Sequence, residues 1–313
     1  MPLGRPGWLN PIPLRLRISV SMNMPNLPLP RRSLLAMLPA LLTACSAVDV
    51  LNATVATDTY RLTPGLSYGR LPRQQLDVYQ PAQTNGRAPM VVFFYGGSWS
   101  SGDRANYRFV GEALASRGVV AVIADYRLSP QVRYPAFVQD SAAAVRWAVE
   151  QAGVYGADPT RVFVMGHSAG AYNAAMVALD ARWLAAEGLK PARLAGWIGL
   201  AGPYDFLPIG DRQTRVAFDW PATPADSQPM VHASAASPPA LLLAPTQDSV
   251  VNTQRSTVAL ARKLRDSGVR VESELFDSVG HVTLVAALAS VLRGQAPVLD
   301  RVAAFVTSGV RAG

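Results

Sequence analysis

From about residue 75 onward, short continuous apolar runs alternate with stretches of helical spacing. Met90 to Tyr95 and Val119 to Asp125 read as buried apolar strands, and Leu194 to Leu200 and Pro239 to Ala244 as two more strands. Arg161 to Met165 reads as a further strand, Gln75 to Tyr79 as a shorter one stopped by Pro81, and Val271 to Phe276 as the last. Between them, Phe109 to Arg117, Phe137 to Gln151, a segment opening near Ala169, and Thr253 to Asp266 carry apolar residues at helical intervals. Gly268 ends the last of these, and more helices are expected after His281. Such alternation predicts an α/β class, with a mostly parallel central sheet and helices on both faces. Phe206 to Pro238 breaks the rhythm with five prolines and few periodic apolar positions. A loop of that length inside a domain is usually functional, so it is expected to form a cap-like insertion over an active site.

Strand Arg161–Met165 runs into Gly166-His167-Ser168-Ala169-Gly170, and a helix follows. This is the G-x-S-x-G nucleophile elbow in its strand–turn–helix setting. Ser168 is forced into a tight turn that lifts its hydroxyl above the sheet, and the flanking glycines let backbone approach backbone.

With Ser168 as nucleophile, chain order should run Ser, then Asp or Glu, then His. The chain holds three histidines, His167, His232 and His281. His167 adjoins the serine and is expected to point elsewhere, and His232 lies in the irregular stretch before the acid. His281, just after the last strand, is the expected base. Asp248 follows the apolar run Pro239–Ala244 and is the expected orienting carboxylate, with Asp205 and Asp277 in reserve. Backbone amides of Gly97 or Ser98, after Met90–Tyr95, together with that of Ala169, are expected to face a developing oxyanion.

The chain resembles the carboxylesterase branch near the hormone-sensitive-lipase and kynurenine-formamidase-like hydrolases of the α/β-hydrolase fold. Leu76-Asp77-Val78-Tyr79, Tyr95-Gly96-Gly97-Ser98-Trp99 and Asp125-Tyr126-Arg127-Leu128-Ser129-Pro130 carry the likeness. So do Tyr134-Pro135-Ala136 with Asp140 and Trp147, then Gly166–Gly170, Asp248 and His281. Together they run in order over roughly residues 70 to 310. The resemblance implies hydrolysis of carboxylic esters of small to medium acyl groups through an acyl-enzyme, with no cofactor and no metal. An arylformamidase or other amide hydrolase on the same triad, and a non-catalytic envelope lipoprotein, are the alternatives. Members usually carry His at the position of Tyr95, where it supports the loop by hydrogen bonding, and a His-Gly turn where Ala244-Pro245-Thr246-Gln247 precedes Asp248.

Charge changes the picture mainly at the N-terminus. Of the 29 Lys and Arg residues, Arg5, Arg15, Arg17, Arg31 and Arg32 precede residue 45, where no acid occurs. The remaining 24 against 21 acids leave +3 of the formal +8, an ordinary surface balance that excludes a nucleic-acid partner. Arg31-Arg32, the apolar run Leu34 to Leu42 and Leu42-Thr43-Ala44-Cys45 follow the grammar of a secretory signal, and the run is too short to span a bilayer. Leu-Thr-Ala-Cys resembles the lipobox of bacterial lipoproteins, which implies a lipid on Cys45, the only cysteine of the chain. Residues 1–45 are therefore read as a signal segment, with 1–21 a miscalled start, 46–65 as a tether, and 66–313 as the catalytic domain. The expected partners are a small-molecule ester and, through the anchor, the periplasmic side of a bacterial envelope membrane. Cys45→Ser should then release the protein from the membrane fraction or leave it unprocessed. N-terminal mass spectrometry of detergent extracts checks this, and an unmodified N-terminus upstream of Cys45 would refute it.

Overall fold

The computed structural model describes residues 47–84 and 86–308. Cys45 and the signal-like run lie outside the described residues. Among those described, eight strands form one sheet: β1 (Tyr60–Ser67), β2 (Gln75–Pro81), β3 (Ala88–Phe94), β4 (Val120–Ala124), β5 (Ala157–His167), β6 (Gly196–Leu200), β7 (Ala240–Pro245) and β8 (Val271–Phe276). Their spatial order is β1-β2-β4-β3-β5-β6-β7-β8. β1 and β2 pair antiparallel, as do β2 and β4, and all other pairs are parallel. Every residue of β3, β4, β6 and β7 is buried, as expected of strands covered on both faces. Edge strand β8 is largely exposed or half-buried instead.

One group of helices comprises α2 (Arg108–Ala115) and, after the last strand, α9 (His281–Ala286) and α10 (Val298–Thr307). The other comprises α3 (Ala136–Gln151), α4 (Ala169–Leu179) and α5 (Ala181–Ala186). No helix among the described residues is long and apolar enough to cross a membrane. Thr253–Asp266 is helical, but it opens as a π turn over Gln254–Val258 before α8 (Ala259–Asp266). Two tertiary bonds hold that wide turn: Thr253 Oγ1 donates to the Pro245 carbonyl at 2.9 Å, and Ser256 Oγ accepts the Tyr204 amide at 3.2 Å.

The tether expected over 46–65 is corrected. Residues Ala47–Ala53 form a helix, α1, and β1 begins at Tyr60. Leu51 and Val55 pack against the core, and the Asn52 carboxamide donates to the Ala105 carbonyl and accepts the Phe109 amide. Tertiary burial gives this short segment structure that its own composition does not signal. Within Phe206–Pro238 lie two short helices, α6 (Arg212–Ala217) and α7 (Pro229–His232).

A polar cluster sits at the tip of β4. Asp125, with its side chain 3% exposed, accepts from Tyr95 Oη at 2.6 Å, from the Arg104 amide at 2.9 Å and from the Arg104 guanidinium. Arg104 also reaches Asp77 of β2 at 2.8 Å, and Arg73 donates to Tyr95 Oη at 2.6 Å. Removing one partner of a buried ion pair strands the other, which costs about 3–5 kcal/mol. Asp125→Ala should lower the unfolding free energy by about that amount. A urea midpoint equal to that of the wild type would contradict this account.

Candidate active site

The crest of the sheet is formed where parallel strands end side by side. Phe94 of β3 is level with Gly166 of β5, and His167 with Leu200 of β6. Ser168 follows with φ of 54° and ψ of −121°, a conformation that costs a non-glycine residue roughly 1–3 kcal/mol. Its amide donates to the Leu200 carbonyl at 2.9 Å, and its carbonyl accepts from Ala171 at 2.9 Å. A Cβ on Gly170 would stand 2.0 Å from the Phe94 carbonyl oxygen, and one on Gly166 2.1 Å from that of Gly170. The turn therefore closes only with glycine at both positions.

The three side chains expected to act together do meet. Ser168 Oγ lies 2.9 Å from Nε2 of His281, whose Nδ1 lies 2.7 Å from Oδ2 of Asp248. The other oxygen of Asp248 accepts the amides of Val250 at 2.8 Å and Val251 at 3.0 Å. Burial pushes this carboxyl upward, but the hydrogen bonds from His281 and the two amides outweigh it and hold its pKa below the usual value. An ionised Asp248 only accepts, so Nδ1 of His281 carries the proton and Nε2 offers its lone pair to the serine hydroxyl. Asp205 instead pairs with Arg255 at 2.8 Å, and Asp277 is exposed. His232 contacts the Asp226 carbonyl at 2.7 Å, outside this cluster.

His167 is not the partner of the serine hydroxyl and bonds the backbone of the base instead. Its Nε2 donates to the main-chain carbonyl of His281 at 2.9 Å, and the two rings are 5.0 Å apart. Burial, with the neighbouring His281 next in importance, lowers its pKa to about 3, so it stays neutral. Position in the elbow signalled the serine, but nothing in the linear order signalled this bond across 114 residues.

In the glycine loop, Gly97, Ser98 and Trp99 have φ of 124°, 50° and 55°. The Gly97 and Ser98 amides meet no acceptor among the described residues, while the Gly97 carbonyl takes the amides of Ser100 and Ser101. Trp99 Nε1 donates to Asn173 Oδ1 of α4 at 3.0 Å, pinning the loop to the helix that Ser168 opens. Tyr95, standing where relatives carry His, lies between the rings of Tyr107 and Tyr126 at 5.3 and 4.9 Å. Burial above all, then Tyr126 and Asp125, push its pKa far up, so it stays protonated and donates its hydrogen bond to Asp125. Loop support thus comes from phenol and carboxylate. Arg73, Arg104 and Asn173 are the supporting residues that sequence reading missed.

Ser168 borders two cavities. One, of 290 Å³, is walled by Trp99, Ala169, Phe206, Ile209 and Thr214. The other, of 500 Å³, is walled by Tyr107, Phe109, His281 and Val285, with Val48 and Leu51 of α1. Phe206, Ile209 and Thr214 belong to the irregular stretch, which therefore borders the site.

Among known proteins, a rice (Oryza sativa subsp. japonica) protein named probable isoprenylcysteine alpha-carbonyl methylesterase ICME is 33% identical over 46% of this chain and 36% of its own length. Carboxylesterase NlhH of Mycobacterium tuberculosis is 35% identical over 48% of this chain and 50% of its own. The chain thus spans half or less of these relatives. A thermostable esterase from Pseudomonas putida ECU1011 shares its fold at a TM-score of 0.62 and 26% identity, over 80% of this chain and 86% of that one. The family model described as BD-FAE matches residues 76–264, more than half of the chain, with Ser168 and Asp248 inside the match and His281 beyond it, and the chain belongs to that family.

Proposed function

We propose that the protein is a serine hydrolase that cleaves carboxylic esters of small to medium acyl groups through an acyl-enzyme. The observation that carries this reading is the aligned contact of Ser168, His281 and Asp248 at 2.9 and 2.7 Å. His281 takes the hydroxyl proton as Ser168 attacks the ester carbonyl, and Asp248 stabilises the imidazolium. The amides of Gly97, Ser98 and Ala169 then face the oxyanion, each such donor contributing roughly 3 kcal/mol in the transition state. His281 returns the proton to the leaving oxygen, and water repeats the sequence on the acyl-enzyme. The esterase names of relatives, and a 290 Å³ cavity suited to a modest acyl group, support the same chemistry. We also propose a lipid anchor at Cys45 on the periplasmic side of an envelope membrane, supported by the basic, apolar and lipobox pattern of residues 31–45.

Ser168→Ala and His281→Ala should each abolish ester hydrolysis and leave the fold intact, since members of a triad act as a unit. A fluorophosphonate probe should label Ser168 and no other residue. Activity within a few-fold of wild type in either variant would overturn the assignment.

His167 gives an acid dependence of stability. Its folded pKa of about 3 lies below the reference value of 6.5, so the unfolded chain takes the proton first. Its contribution is complete above about pH 6.5 and declines as pH falls from there toward 3, by up to about 1.4 kcal/mol per pH unit. The depressed Asp248 carboxyl adds loss in the same direction at more acid pH. His167→Gln should flatten the plot of unfolding free energy against pH between about 4 and 6. Parallel plots for variant and wild type would show that this histidine is not buried neutral.

A further inference from the structure

We propose that the 500 Å³ cavity binds the alcohol part of the ester and selects alcohols that are uncharged, apolar and bulky, with α1 as one of its walls. This rests on the ester-hydrolase reading above. In that chemistry the imidazolium of His281 protonates the leaving oxygen as the acyl C–O bond breaks, so the alcohol departs on the His281 side of Ser168. His281 borders the 500 Å³ cavity and does not border the 290 Å³ one, which leaves the smaller space to the acyl group.

The chemistry of the wall fixes the class of alcohol. Val48, Leu51, Tyr107, Phe109, Val282 and Val285 present apolar surface, Ser101 and Asn106 add polar side chains outside the triad, and among the described residues no Lys, Arg, Asp or Glu lines the cavity. A charged alcohol would lose hydration there without gaining a partner of opposite charge, and a polyol would find few side-chain groups, Ser101 and Asn106 among them, to replace its many hydrogen bonds to water. An alkyl or aryl alcohol gains by leaving water. The apolar character reaches the mouth, where Val282 is 67% exposed. α1 is a built part of this wall. Asn52 donates to the Ala105 carbonyl at 3.1 Å and accepts the Phe109 amide at 3.3 Å, which fixes the helix against the segment carrying Tyr107 and Phe109.

The test uses the full chain and an acetate series in which the alcohol alone changes: ethyl, hexyl and 2-naphthylmethyl acetate, with acetylated xylose as the hydrophilic arm. From ethyl to hexyl acetate, kcat/KM should rise by at least about tenfold, and the sugar acetate should be the poorest substrate. Leu51→Trp, which fills the cavity, should cut the hexyl-to-ethyl ratio by at least about fivefold. It should leave unchanged the dependence on acyl length in p-nitrophenyl esters. Val282→Trp, at an exposed position that folding tolerates, should cut the same ratio if Leu51→Trp fails to fold. Equal rates on ethyl and hexyl acetate, or a preference for the sugar acetate, would overturn the proposal. With Ser168 still labelled by fluorophosphonate, either result leaves the ester-hydrolase reading standing. A wild-type chain that neither hydrolyses any acetate nor takes the label would overturn both.

Discussion

The desolvation of one carboxylate organises the upper part of this molecule. Asp125 leaves the sheet at the end of β4 with its side chain almost fully buried, where an unpaired negative charge is untenable. It is satisfied by gathering donors from separate parts of the chain: Arg104 and its amide, Tyr95, and more distantly Arg73. Both guanidinium groups are engaged a second time, with Asp77 for Arg104 and with the Tyr126 and Gly102 carbonyls for Arg73. The glycine loop after β3 is therefore stiff because its base is bonded to β2 and β4. Donors held in place before a charge develops need no reorganisation when it does, which is the property an oxyanion site requires.

The second constraint is steric. Gly170 packs against the Phe94 carbonyl with no room for a methyl group, so the helix that begins after Ser168 sits directly on the end of β3. This contact sets the nucleophile beside the glycine loop, and the Trp99–Asn173 bond closes the same link from the other side. His281 comes from the far end of the sheet, after β8, and its approach is set by Asp248 through the ring and by His167 through the backbone. Ring and main chain of the base are thus held independently.

The sheet was legible because strands such as Met90–Phe94 and Leu241–Ala244 are buried on both faces and leave unbroken apolar runs. The site was legible where a motif compresses it into adjacent residues, as in Gly166–Gly170, or where chain order eliminates rivals, as for His281. Contacts between distant residues were not. Nothing local distinguishes Arg104 or Asn173 from surface residues, and nothing near His167 in the chain shows that its ring meets the backbone of His281. Residues 47–53 were read as a tether because a seven-residue segment carries too little periodicity to show a helix whose stability comes from its neighbours.

Positive φ at non-glycine residues is concentrated at this crest: Ser98 and Trp99 in the glycine loop, Ser168 in the elbow, and Ala201 just after β6. At each of them, a change to glycine would relax the backbone. Selection for heat resistance alone would therefore favour glycine at half-buried Ser168, and so remove the hydroxyl of the nucleophile, whereas at Trp99 the loss of a buried indole outweighs the relief. A library screened for melting temperature and blind to turnover would drift toward well-folded, inert proteins, with its gains clustered where the native chain is least relaxed.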